Sequence, residues 1–259
     1  MRPFILFIAI ASFIAPADAE IITEQVIYEV DGVACEGYAI YSNSMDVPAP
    51  GVLIFHQWSG VSDYEKTRAR MLAEVGYAVF IGDIYSQEVR PVEVADKRAT
   101  AGIYYSDRQL ARRRAQGALE AMQSLPQFDP DRIVAIGYCF GGMIVLELAR
   151  DGAPLVGFVS IHGSLNNPNP EDTKNIRGVV LVQHGADDPF VPAVDLAALR
   201  AEMTEAQIDF TVTEYAGAVH SFTDWNAGDD PTRGAAYNKE ADAYSWTELL
   251  EFLRQHIGN

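Results

Sequence analysis

From Gly51 onward, short apolar runs alternate with segments whose apolar residues recur at helical spacing, and this alternation constrains the fold more than any other feature. The run "GVLIFH" is followed by the helical pattern "DYEKTRARMLAEVG", which ends on Gly76 as a C-cap, and then by "YAVFIGDIY". A second helix is expected over "DRQLARRRAQGALEAMQSL", followed by the run "RIVAIGY", a helix through "MIVLELAR", and the run "LVGFVSIHG". The last third continues with strand "GVVLVQHG", helix "AVDLAALRAEM", strand "IDFTVTEYA" and terminal helix "SWTELLEFLRQHI". Upstream, "VIYEV" and "GYAIYS" read as an N-terminal hairpin. Such alternation implies a mostly parallel sheet covered by helices on both faces, with ligands bound beyond the carboxyl ends of the strands.

Three candidate residues fall in loops of that kind. Gly137-Tyr138-Cys139-Phe140-Gly141-Gly142 has the form small-x-nucleophile-x-small between a strand and a helix. This is the pattern of a nucleophile elbow, in which glycine is needed because a side chain would clash in the sharp turn. The following helix N-terminus favours negative charge and would help a thiolate. "VQHGADDPFVP" places Asp187 and Asp188 just after a strand, and "YAGAVHSF" puts His220 in the loop after the next one. Singly, a buried cysteine, a helix-capping aspartate and a surface histidine are each reasonable. Together they stand in the chain order nucleophile, acid, histidine that hydrolases of this architecture use.

Other features carry less. His56, in "HQWSG" after the first core strand, is expected to shape a loop whose backbone supplies an oxyanion donor; His162, His184 and His256 fit the base role less well. Arg112, Arg113 and Arg114 point different ways around a helix and read as a solvated face, and Asp224, Asp229 and Asp230 lack the spacing of a calcium loop. The scattered histidines lack metal-ligand spacing. Cys35 sits in the hairpin at a sheet edge, too far for an expected bridge to Cys139.

The first residues, "MRPFILFIAIASFIAPADAE", carry Arg2, an apolar run and Ala17-Asp18-Ala19, the three parts of a cleaved export signal over residues 1–19. Residues 20–259 then suffice for one α/β domain, expected to be secreted or periplasmic and to act as a monomer. Net charge is −17, which argues against nucleic acid and anionic membrane surfaces as partners.

With these motifs in order, the sequence resembles the dienelactone hydrolase family. The resemblance runs from about "GYAIYS" to the terminal helix and rests on "GYCFGG", "HGADDPFVP" and "AVHSF", with "GDIY" as a fourth element. It implies an α/β-hydrolase fold without a large cap domain. It implies Cys139 as nucleophile, Asp188 rather than Asp187 as orienting acid, and His220 as base, with backbone N–H groups of Phe140 and Trp58 receiving the oxyanion of a small ester or lactone. That chemistry needs no cofactor or metal. Gln57, Gln87, Phe222 and Asp224 are the implied substrate contacts. The family's glutamate after the first core strand is here Gln57, and its two carboxylate-binding arginines correspond to Gln87 and Asp224. A cavity without a cation is therefore expected to prefer uncharged substrates. The competing reading is a non-catalytic small-molecule binding protein that retains the fold.

Overall fold

The computed structural model describes residues 19–258; the expected export signal lies outside the described residues except for its last position. Eight strands form one sheet in the order β1-β2-β4-β3-β5-β6-β7-β8. β1 (Ile21–Val30) and β2 (Val33–Ser42) are the antiparallel hairpin, turning at Asp31-Gly32, both at positive φ (53° and 76°). β2 joins β4 (Ala78–Gly82) antiparallel. From β4 onward every pairing is parallel, through β3 (Ala49–Phe55), β5 (Phe128–Tyr138), β6 (Gly157–Ile161), β7 (Val179–Gly185) and β8 (Phe210–Tyr215).

Because successive side chains leave a strand on opposite faces, continuous apolar runs feed two cores. Leu53, Phe55, Phe80 and Ile133 enter one core with Ala111, Ala115, Leu119 and Met122 of α3 (Arg108–Gln123), Ile144 and Leu148 of α4 (Phe140–Arg150), and Leu199 of α5 (Ala193–Glu205). Val52, Ile54, Val79 and Val134 enter the other, against Leu72 of α1 (Asp63–Glu74) and Leu249 and Leu253 of α6 (Lys239–His256). Burial on both faces selects the β-branched and aromatic residues seen in "GVLIF" and "RIVAI".

Two expectations need correction. Residues 94–106, which carry no expected element, form α2 (Val94–Ser106). It has no side-chain N-cap, and its last residue abuts Asp107, whose side chain caps α3 by accepting from Leu110 N–H. Nor do the three arginines of α3 form a solvated face. Arg112 pairs at 2.8 Å with both Glu147 and Asp172, and Arg114 donates to Val30 C=O at 2.7 Å. Only Arg113 is exposed, beside Asp31 at 2.9 Å. The helix lies between the hairpin and α4, so its polar side chains are buried where neighbouring acids and carbonyls can meet them.

Candidate active site

The elbow lies between β5 and α4. Cys139 has φ 55° and ψ −114°, the strained turn that lifts its side chain above the sheet. Its flanks must be glycine: a Cβ on Gly137 would stand 2.0 Å from Gly141 O, and one on Gly141 2.2 Å from Phe55 O. The Cys139 N–H is shared between Ile161 C=O (3.0 Å) and His162 Nδ1 (3.1 Å). That bond fixes the His162 proton on Nε2, which donates to Thr223 Oγ1 at 2.8 Å. The chain of contacts continues from Thr223 to Tyr64 (2.6 Å) and Arg68, which also binds Asp242. This buried polar row ties the elbow to the loop that carries His220.

His220 follows β8 and is laced to residues 234–236, donating its N–H to Gly234 C=O and accepting from Ala236 N–H. Its Nε2 is 3.1 Å from Cys139 Sγ and its Nδ1 is 2.8 Å from Asp188 Oδ2. Asp188 is fully buried and its other oxygen accepts from Phe190 N–H at 2.8 Å; Asp187 is exposed. Burial alone would lower the His220 pKa. The charge of Cys139 and the hydrogen bond that Asp188 accepts from Nδ1 outweigh it and push the imidazole up to about 10. Both cysteines are free; Cys35 is buried beside Arg114.

The loop after β3 faces the elbow. His56 is buried, donating from Nδ1 to Gln57 C=O at 2.6 Å and accepting at Nε2 from Ile84 N–H at 3.1 Å, as its expected loop-shaping part requires. Glu65, the acid of a capping box with Ser62 at the start of α1, accepts from Gln57 N–H (3.0 Å) and from Ser62 N–H (2.9 Å). Burial pushes its carboxyl up, and these donors hold it partly down. The Tyr85 hydroxyl donates to Trp58 C=O at 3.0 Å. The N–H groups of Trp58 and Phe140 have no acceptor among the described residues.

A cavity of about 500 Å³ opens over Cys139 and His220, walled by Trp58, Tyr105, Phe190 and Val191. A second, more polar one of about 600 Å³ adjoins it through Trp58, Ser221 and Ala235 and contains Gln57 and Asp224. Those two residues bond each other, Gln57 Nε2 donating to Asp224 Oδ2 at 3.0 Å. Gln57 is thereby turned from the thiol, which His220 holds instead. Two expected substrate contacts fail. Phe222 is fully buried behind the site, packed on His162 and Tyr215. Gln87 is on the surface, its N–H bonded to Ala34 C=O, and lines neither cavity. The expectation of a cavity without a cation is also wrong: Arg98 of α2 lines it and its guanidinium has no hydrogen bond or ion pair among the described residues. Arg90 is instead held by Asp83 (3.0 Å), and Arg108 is buried against Asn166 (3.0 Å). Arg98, Tyr105, His162 and Glu65 are thus residues that sequence reasoning missed; Ser62-Asp63-Tyr64-Glu65 has capping-box spacing and could have exposed the last.

Residues 35–257 match the model of the dienelactone hydrolase family. Among solved structures, the chain is similar to a dienelactone hydrolase-like promiscuous phosphotriesterase from metagenomic libraries, with 37% identity and a TM-score of 0.87 over 92% of this chain and 99% of that one. A dienelactone hydrolase of Anabaena variabilis shares the fold at TM-score 0.67 and 17% identity, over 92% of this chain and 98% of that one. A Saccharolobus solfataricus protein that carries, by inference, the name carboxymethylenebutenolidase is 23% identical over 90% of this chain and 98% of its own length. The chain belongs to the dienelactone hydrolase family and is an α/β-hydrolase of the kind that acts on lactones or esters.

Proposed function

We propose that this protein is a cysteine hydrolase of small esters or lactones, with Cys139 as nucleophile, His220 as base and Asp188 orienting the imidazole. The observation that carries the reading is the single imidazole bridging Cys139 Sγ and Asp188 at 3.1 and 2.8 Å on the floor of a cavity of substrate size. The thiolate attacks the carbonyl carbon, and the oxyanion so formed is received by the N–H groups of Phe140 and Trp58. Collapse expels the alkoxide, which takes the proton from the His220 imidazolium and leaves a thioester on Cys139. Water then attacks the thioester with His220 as general base, releasing the acid and restoring the pair.

We further propose that the protein works outside the cytoplasm after loss of residues 1–19, a reading supported by the Arg2, apolar-run and Ala17-Asp18-Ala19 pattern, and that it acts as a monomer. The similarity to a promiscuous phosphotriesterase makes phosphotriesters a second class to assay. The test is hydrolysis of a simple aryl ester by wild type and by Cys139→Ala, with one equivalent of a thiol reagent as titrant. Loss of activity in both the variant and the alkylated protein, with melting temperature nearly unchanged, is expected. Near wild-type turnover by Cys139→Ala refutes the assignment.

A further inference from the structure

Three tyrosines surround the side chain of Phe140, the residue whose N–H opens α4, and their hydroxyls are not used alike. Tyr85, Tyr104 and Tyr105 stand 5.3, 5.9 and 5.7 Å from the Phe140 ring, centroid to centroid. The Tyr85 hydroxyl is bonded to Trp58 C=O and that of Tyr104 to Tyr85 C=O at 3.3 Å. The Tyr105 hydroxyl has no partner among the described residues. Its ring is nonetheless fixed, edge-on to Phe140 and with the buried Arg108 guanidinium 5.4 Å from its centroid. Tyr105 is 37% exposed, and it lines the cavity that holds Cys139. Burial first, and then the charge of Cys139, push its phenol well above 10, which keeps the proton on the oxygen at every working pH.

Building on the cysteine-hydrolase reading, we propose that Tyr105 is a further catalytic residue: its hydroxyl donates a hydrogen bond to the substrate carbonyl oxygen as the oxyanion develops. The proton is not transferred; it stays on the phenol, and the bond strengthens as charge moves onto the carbonyl oxygen. A donor fixed by ring contacts before substrate arrives requires no reorganisation during the reaction, which is where such groups have their largest effect. The proposal also gives α2 a part in the chemistry beyond walling the cavity.

The test compares wild type, Cys139→Ala and Tyr105→Phe for aryl ester hydrolysis and for alkylation by iodoacetamide. Phenylalanine keeps both ring contacts and removes only the hydroxyl. Alkylation of a thiolate builds no oxyanion, so it separates thiol activation from oxyanion binding. The expected result is a fall in kcat of about 10-fold or more for Tyr105→Phe with KM little changed. Its alkylation rate should stay within about twofold of wild type, since activation of the thiol by His220 is untouched. Wild-type kcat in the variant, or an equal fall in alkylation, overturns the part given to Tyr105 while leaving the hydrolase reading intact. Absence of ester hydrolysis by wild type itself overturns both.

Discussion

Cys139 sits at φ 55°, a backbone region that costs a non-glycine residue of order 1–3 kcal/mol, and it is held there by the two acceptors that share its N–H. The strain aims the thiol at His220, and on the proposed cysteine-hydrolase reading the raised pKa of that imidazole makes it the acceptor of the thiol's proton before substrate arrives. Alkylation of wild type by iodoacetamide should therefore be nearly flat between about pH 7 and 9, where an ordinary thiol, with pKa about 8.5, gains steeply. In His220→Ala the rate near pH 7 should fall about tenfold or more and rise with pH through the normal thiol range. A flat profile in that variant would show that the imidazole does not set the thiol's charge. Arg98 offers a second single-residue test. With Gln87 outside the cavity and Asp224 bonded to Gln57, it is the charge that a substrate carboxylate over Cys139 would meet. Arg98→Ala should lower kcat/KM for a carboxylate-bearing ester at least severalfold relative to its neutral analogue, an effect that shrinks with salt because the side chain is exposed. Equal ratios in wild type and variant would remove Arg98 from substrate selection.

At the level of elements, the site depends on how strand ends are continued. Glu65 shows this: it caps α1 and simultaneously pins the Gln57-Trp58 loop through the Gln57 N–H. Glu65→Ala should destabilise the fold by about 2–4 kcal/mol, combining a lost cap with an unsatisfied buried N–H. Its kcat should fall too, because the Trp58 peptide loses its support; denaturant melts and ester kinetics together check this, and a variant with wild-type kcat would detach the cap from the chemistry. The same level explains what the sequence made legible. Strands buried on both faces announce themselves as apolar runs, so β3, β5, β6 and β7 were readable; Cys139 and Asp188 stood out because each follows such a run, and His220 because it follows the less buried edge strand β8. α2 was not readable: only Ala101 and Tyr104 are buried in it, so it has no repeated apolar face, and it enters without a capping side chain. Its loss from view hid Arg98 and Tyr105. Phe222 and Gln87 were misjudged for another reason, since nearness in sequence to a catalytic loop does not say which way a side chain leaves it.

Across the whole molecule, protonation sets opposing limits on stability. His56, His162 and His184 all have lowered pKa values, burial being the main cause, so the folded state keeps them neutral where the unfolded chain takes up protons. Their stabilisation is complete above the ordinary value of 6.5 and is lost as pH falls below it, each adding a slope of at most about 1.4 kcal/mol per pH unit. His220 runs the other way: its contribution is complete below 6.5 and is lost as pH rises toward about 10. Denaturant midpoints should therefore peak near neutrality and drop steeply between about pH 6.5 and 5; a flat midpoint over that interval would mean that the buried imidazoles take up protons in place. The polar row behind the elbow also has an optical consequence. The chain has three tryptophans. Trp225 and Trp246 flank the Arg68 guanidinium at 4.8 and 5.4 Å, and Trp58 walls both cavities. Every indole thus lies at the cavities or against the buried row that ties the elbow to the His220 loop, and intrinsic emission excited at long wavelength is blind to the β1-β2 hairpin, whose own chromophores Tyr28, Tyr38 and Tyr41 would register its separate melting only in the tyrosine band.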